Sequence, residues 1–142
     1  MKSNSNPANH PETAAQVTAK ALGVRPTMRA WLAGHNKEAK RVVQRYLFQA
    51  SRSVAGRVDL AFITPQTPEE WAYFAAKILK RLDNQGRVWL ILPQNQGFLP
   101  RPSSEFWADY CQAVGDVPMH PTQTVALEEG LVALGFEPAA GP

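Results

Sequence analysis

Two apolar runs of strand length, separated by a helix with its own start signal, constrain this chain more than anything else in it. The runs are VDLAFIT at 58–64 and RVWLIL at 87–92, each nearly continuous in apolar residues. A half-buried strand alternates, whereas a continuous run is the pattern of a strand covered on both faces. Between the runs, Thr67 can cap a helix, Pro68 suits its first position because no N–H donor is needed there, and Glu70 is placed to complete a capping box. Trp71, Phe74, Ala75, Ile78, Leu79 and Leu82 recur at i, i+3, i+4, i+7, i+8 and i+11, one face of a helix laid on a sheet; the pattern stops near Asn84 to Gly86. Strand, helix, strand in this arrangement makes the two strands parallel, with a right-handed crossover.

The flanking sequence extends the same plan. Upstream, an Ala-rich helix is expected over 12–22, ended by Gly23 and Pro26, then a short strand over 28–33 around Trp31 and Leu32, broken by Gly34. Asn36 is a plausible cap for a helix running to about Ser53, with Ala39, Val42, Val43, Tyr46, Leu47 and Ala50 on one side and Lys37, Lys40, Arg41, Arg45 and Arg52 on the other. Downstream come a polar loop over 94–102, a helix over 103–114, and a last helix over 122–134 with Gly135 at its end. Residues 136–142, with two prolines, offer at most the start of a strand. The expected fold is α/β: a minimal, mainly parallel sheet of three to five strands flanked by helices, one domain over 12–136 between a polar tail at 1–11 and a short flexible end at 137–142.

Composition narrows the setting. At 142 residues, 44% hydrophobic and 19% charged, the chain can bury one core. A single cysteine, Cys111, excludes an internal disulfide and any multi-cysteine metal site. No apolar run approaches the roughly 20 residues that span a bilayer, and the first eleven residues lack a signal-peptide core, so a soluble cytoplasmic protein is expected. Charge is uneven: residues 1–57 carry ten Lys and Arg against two Glu, and residues 58–142 carry five against ten acids. Lys37, Lys40, Arg41 and Arg45 are therefore candidates for contact with phosphates, nucleic acid or an acidic partner, or form a solvated face beside an acidic one. No helix-turn-helix, zinc or RNP-type signature accompanies them.

Open α/β sheets place ligands at the carboxyl ends of their strands. Here those ends supply Gly34, His35 and Asn36, then Thr64 and Gln66, then Gln94, Asn95 and Gln96, neutral polar groups able to hydrogen-bond a nucleotide-like ligand or simply to solvate loops and cap a helix. His35 serves as a general base only if a carboxylate or nucleophile approaches it in space; a solvated histidine is the favoured reading. His10 and His120 have no partner at metal-ligand spacing, and Cys111 reads as a buried inert thiol. Trp31, Trp71, Trp89 and Trp107 read as packing, and Phe98 as either a lid or a loop anchor. No catalytic residue and no metal ligand is assigned.

The stretch VDLAFITPQTPEEWAYFAAKILKRLDNQGRVWLILPQ resembles the second half of Rossmann-like methyltransferase domains, and ALGVRPTMRAWLAG resembles the entry to one. The combination is most similar to small bacterial proteins of uncharacterised function with a methyltransferase-like fold. The resemblance implies a Rossmann-like domain and, at the strand ends, an S-adenosylmethionine site. The chain departs from the pattern in three places: Gly34 is followed by His35, Asn36 and Lys37 rather than by more glycine, no acid follows about 20 residues on, and no final antiparallel pair is evident. These departures predict a non-catalytic binding or interaction module with S-adenosylmethionine an unlikely ligand, the alternative being a methyltransferase or another nucleotide-cofactor enzyme. Strand edges left bare by a missing antiparallel pair further predict a homodimer or a protein partner that covers them.

Overall fold

A computed structural model describes residues 13–47, 50–52, 56–94, 109–110, 112–113 and 117–138. The tail at 1–11, Asn95, Phe98, Trp107 and Cys111 lie outside them, as does most of the helix expected over 103–114.

The elements follow the order α1 (Ala14–Ala21), β1 (Arg29–Ala33), α2 (Lys37–Gln44), β2 (Ser51–Arg52), β3 (Val58–Ile63), α3 (Pro68–Leu79), β4 (Leu82–Pro93), β5 (Met119–Ala126) and β6 (Leu131–Pro138). The sheet order is β2-β1-β3-β4-β6-β5. Pairings β2·β1, β1·β3 and β3·β4 are parallel, while β4·β6 and β5·β6 are antiparallel. The α/β class and mainly parallel sheet are as the sequence implies: five strands of five residues or more, plus the two-residue β2. Among the described residues no helix is long and apolar enough to cross a membrane.

The continuous runs are covered on both faces. Leu60, Phe62, Trp89, Ile91 and Ala133 point to the side occupied by α1 and α2. Ala61, Ile63, Val88, Leu90, Leu92, Val132, Leu134 and Phe136 point to the side of α3, where Trp71, Ala75 and Ile78 meet them. Both indole N–H groups inside this core are bonded. The Trp89 indole N–H donates to the Leu22 carbonyl at 3.1 Å, and that of Trp71 to the Tyr110 carbonyl at 2.9 Å. The buried Tyr46 hydroxyl accepts from the Glu128 backbone N–H at 3.0 Å, and burial pushes its pKa up.

Two expectations about elements are corrected. The helix expected to reach Ser53 ends at Gln44, where Arg45, Tyr46 and Leu47 donate to carbonyls three residues back and tighten the chain toward β2. The helix expected over 122–134 is instead the β5–β6 hairpin. Glu129 sits in the left-handed region at φ 59 and Gly130 at φ 74, a reversal that no helix tolerates. The antiparallel pair is thus present, β6 runs through Phe136 to Pro138 beside β4, and bare edges from a missing pair no longer argue for a dimer.

Gly135 stands opposite Trp89 across the β4·β6 ladder, and a Cβ there would lie 2.9 Å from the indole ring. Gly135→Ala is expected to cost about 1–3 kcal/mol by overpacking, read by urea denaturation. At the amino ends of the strands, burial pushes the Asp59 carboxyl upward. Backbone and side-chain hydrogen bonds from Arg29 and the nearby Arg29 and Arg57 charges outweigh it and hold the pKa below the usual value. A carboxylate depressed in the folded state stabilises above its unfolded pKa of about 3.9 and loses that contribution as pH falls through the folded value. The stability gap between wild type and Asp59→Asn is therefore expected to be constant from pH 7 to about 4 and to narrow below that, measured by denaturation across the range.

Candidate functional site at the carboxyl ends of β1 and β3

Chain order reverses at β1. The connection through α2 carries the chain to β2 on one side, and β3 then pairs with the other side of β1. Helices α2 and α3 lie on opposite faces, so the loops leaving β1 and β3 diverge at a topological switch point, where such sheets bind ligands.

The two loops are laced together. The Thr64 N–H donates to the Ala33 carbonyl at 2.8 Å, its hydroxyl donates to the same oxygen at 3.3 Å, and the Asn36 N–H donates to the Thr64 carbonyl at 3.0 Å. Gly34 makes this approach possible. It is buried, its φ is +130, and a Cβ on it would lie 2.2 Å from the Thr64 carbonyl oxygen. Asn36 is also the cap of α2, its side-chain oxygen accepting from the Ala39 N–H at 3.1 Å.

Above this seam Gln66 donates through Nε2 to the His35 carbonyl at 3.3 Å. The expected capping box is altered: Thr67 does accept from the Glu70 N–H at 3.1 Å, but the Glu70 carboxylate reaches past it. One oxygen accepts from the Gln66 N–H at 2.5 Å, and the other pairs with Nδ1 of His35. The Glu70 side chain is 11% exposed and that of His35 73%, so a nearly buried carboxylate holds a solvent-facing imidazole. Phe74 lies beside it, its ring 6.3 Å from that of His35, 5.9 Å from Trp31 and 5.2 Å from Tyr73.

Of the residues marked in the sequence, Gly34, His35, Asn36, Thr64 and Gln66 therefore come together. Gln94 does not join them: its N–H donates to the Gly130 carbonyl at 2.8 Å, at the β5–β6 turn. Glu70 is the member that sequence reasoning missed, because its capping position already explained it. The signal was available in the parallel pairing of β1 and β3, which makes the loops after them neighbours. The basic face is partly neutralised within the chain. Arg41 pairs with Glu38 at 2.6 Å and Arg45 with Glu129 at 2.7 Å; Lys37 remains exposed at the start of α2. Among the described residues no group of three or more His, Cys, Asp or Glu is arranged to hold a metal ion.

A groove of about 610 Å³ lies at the opposite, amino ends of the strands, lined in part by Arg25, Asp59, Asp83 and Arg87. Three of its charges are engaged within the chain: Asp59 by Arg29, Asp83 by Arg57, and Arg87 by Glu137 at 2.6 Å. The carboxyl ends of β1 and β3 are the better candidate, since the His35 imidazole faces outward there and they lie at the switch point.

No family model matches the chain, and no curated protein does. Solved structures do. The pyocyanin biosynthetic protein PhzM aligns with 89% of this chain at a TM-score of 0.57 and 10% identity. The ribosomal protein L11 methylase from Lactobacillus delbrueckii subsp. bulgaricus aligns with 89% at 0.52 and 11%, covering 78% of its own length. Fibrillarin from Aeropyrum pernix, in complex with natively bound S-adenosyl-L-methionine, aligns with 87% at 0.54 and 13%, covering 76% of its length. The chain spans only 54% of PhzM. At these identities the likeness is one of fold, and it defines a methyltransferase-like Rossmann domain. It also corrects two expectations. A non-catalytic module with S-adenosylmethionine an unlikely ligand is the less favoured reading, because structures of similar fold include a methylase and a fibrillarin that holds that cofactor.

The seam at Gly34 can be tested by substitution. Gly34→Ala is expected to cost about 3 kcal/mol, since a backbone carbonyl cannot move aside and the φ is strained for any L side chain. Gly23, at φ +83 with nothing within 4 Å of the position a Cβ would take, is the control: Gly23→Ala costs strain alone, about 1 kcal/mol, by the same denaturation measurement.

Proposed function

We propose that the chain is a methyltransferase-type domain that takes S-adenosylmethionine across the carboxyl ends of β1 and β3. The observation that carries this reading is the switch point itself, formed in a fold similar to those of the methylase and fibrillarin structures above.

The residues present suit the group. The Asn36 side-chain NH2 and the Gln66 side-chain oxygen, the halves of those amides not used in the helix cap and the loop bond, match the hydroxyls and heteroatoms of an adenosyl moiety, and Lys37 at the start of α2 matches its carboxylate end. The sequence has no acid directly after β2; the acid this edge brings to the crevice is Glu70. Bound there, the cofactor supplies an electrophilic methyl group on a sulfonium. The protein's part is to fix the two loops against each other through Gly34 and Thr64, so that the site is formed before the ligand arrives.

S-Adenosylhomocysteine tests the proposal directly. At 100 times its dissociation constant a ligand that binds only the folded state adds about 2.7 kcal/mol of stability, a melting-temperature rise of several degrees. The rise is expected to shrink in Gln66→Ala. No shift and no calorimetric heat at millimolar S-adenosylhomocysteine would refute the reading.

A further inference from the structure

Outside the donor-binding role just proposed, the carboxyl edge holds one grouping whose chemistry is unaccounted for. His35 stands on the turn after β1, and its Nδ1 is paired with a Glu70 carboxylate that is itself fixed by the Gln66 N–H. A carboxylate on Nδ1 fixes the tautomer that leaves Nε2 with its lone pair, and among the described residues Nε2 has no partner. A solvated surface histidine needs no such support. Here a side chain that is 11% exposed is spent on orienting one that is 73% exposed. The pairing of a base with a third group that orients it is the arrangement of general-base catalysis.

The surroundings indicate what kind of group the base would meet. Phe74 lies 6.3 Å from the imidazole and touches both Trp31 and Tyr73; Tyr73 is 61% exposed, with Lys77 5.7 Å from its ring. Aromatic side chains at a crevice rim stack flat π-systems. We propose that His35, positioned by Glu70, is the general base for methylation of an aromatic hydroxyl laid against Phe74. The proposal rests on the methyl-donor reading above. As the acceptor oxygen forms its bond to the methyl carbon, the methyl–sulfur bond breaks with its electron pair remaining on sulfur, and the hydroxyl proton passes to Nε2 of His35. Glu70 then faces an imidazolium, whose charge it stabilises.

The test has a part that needs no ligand. In the free protein at alkaline pH, 15N chemical shifts of His35 are expected to show a proton on Nδ1 and a bare Nε2. Glu70→Gln has one acceptor oxygen where Glu70 uses two; with that oxygen on the fixed Gln66 N–H its NH2 faces Nδ1, so Glu70→Gln and Glu70→Ala are both expected to lose that tautomer. A wild-type His35 with its proton on Nε2 overturns the proposal. The second part uses S-adenosylmethionine with phenol and p-nitrophenol as probes, with S-adenosylhomocysteine binding measured separately. Phenol, un-ionised at about pH 8.5, needs a base, whereas p-nitrophenol is largely ionised there and does not. His35→Gln is expected to lose at least about 100-fold in kcat with phenol, the lower end of general-base contributions, and less than about threefold with p-nitrophenol, with KM little changed. Equal losses with both probes, or no turnover of either by wild type that binds S-adenosylhomocysteine, overturn the proposal. Failure to bind S-adenosylhomocysteine overturns the donor reading instead, and the two failures are told apart because the tautomer is read without ligand.

Discussion

A Cβ on residue 34 would lie 2.2 Å from the carbonyl oxygen of Thr64, and the turn after β1 rests on the end of β3 only because Gly34 has none. The rest of the carboxyl edge is built on that approach. It lets the Asn36 N–H reach Thr64 and brings the His35 carbonyl within reach of Gln66. It also places the imidazole beside the first turn of α3, where Glu70 stands. Glycine near the switch point of a Rossmann-like sheet is commonly explained by approach to a ligand. In this chain the space at Gly34 is filled by its own backbone, so the turn is held closed by the protein and presents side chains, not a run of bare amides, to whatever binds.

Charge follows a similar logic. The first 57 residues are strongly basic and the remainder acidic, which in sequence alone is compatible with phosphates, an external acidic partner or a solvated face beside an acidic one. In the fold the halves meet each other: Arg29 with Asp59, Arg45 with Glu129, and Arg57 with Asp83. Exposed pairs of this kind are worth about 0–1 kcal/mol each, so they add little to stability. They do draw arginine charge into the chain's own pairs, while the carboxyl ends of β1 and β3 keep neutral amides, one imidazole with its carboxylate, and the exposed Lys37.

Most of the fold is legible in the sequence because its signals are local. The strands β1, β3 and β4, the caps Asn36 and Thr67, and Pro68 at the start of α3 each follow from a few neighbouring residues. The β5–β6 hairpin reads as a helix because Leu127, Leu131 and Leu134 fall at i, i+4 and i+7, a helical spacing, while the reversal depends on Glu129 accepting a left-handed conformation. Thr122, Thr124, Val125 and Val132, all β-branched, are the competing signal. Around the site, Gly34, His35, Asn36, Thr64 and Gln66 are visible as strand-end residues. Glu70 is not, since it lies 35 residues from His35 in the chain and meets it only because β1 and β3 are adjacent and parallel. The same dependence on topology hides the fact that Gln94 belongs to the hairpin end.

The central claim is that the carboxyl ends of β1 and β3 form a ligand crevice suited to an adenosyl cofactor. Backbone 1H–15N correlation spectra recorded during titration with S-adenosylhomocysteine address it residue by residue. The account predicts saturable shifts concentrated in residues 33–38 and 64–67, with the amides around Asp59 and Asp83 at the amino ends unmoved. Shifts centred on that amino-end groove, or none anywhere at millimolar ligand, would contradict it.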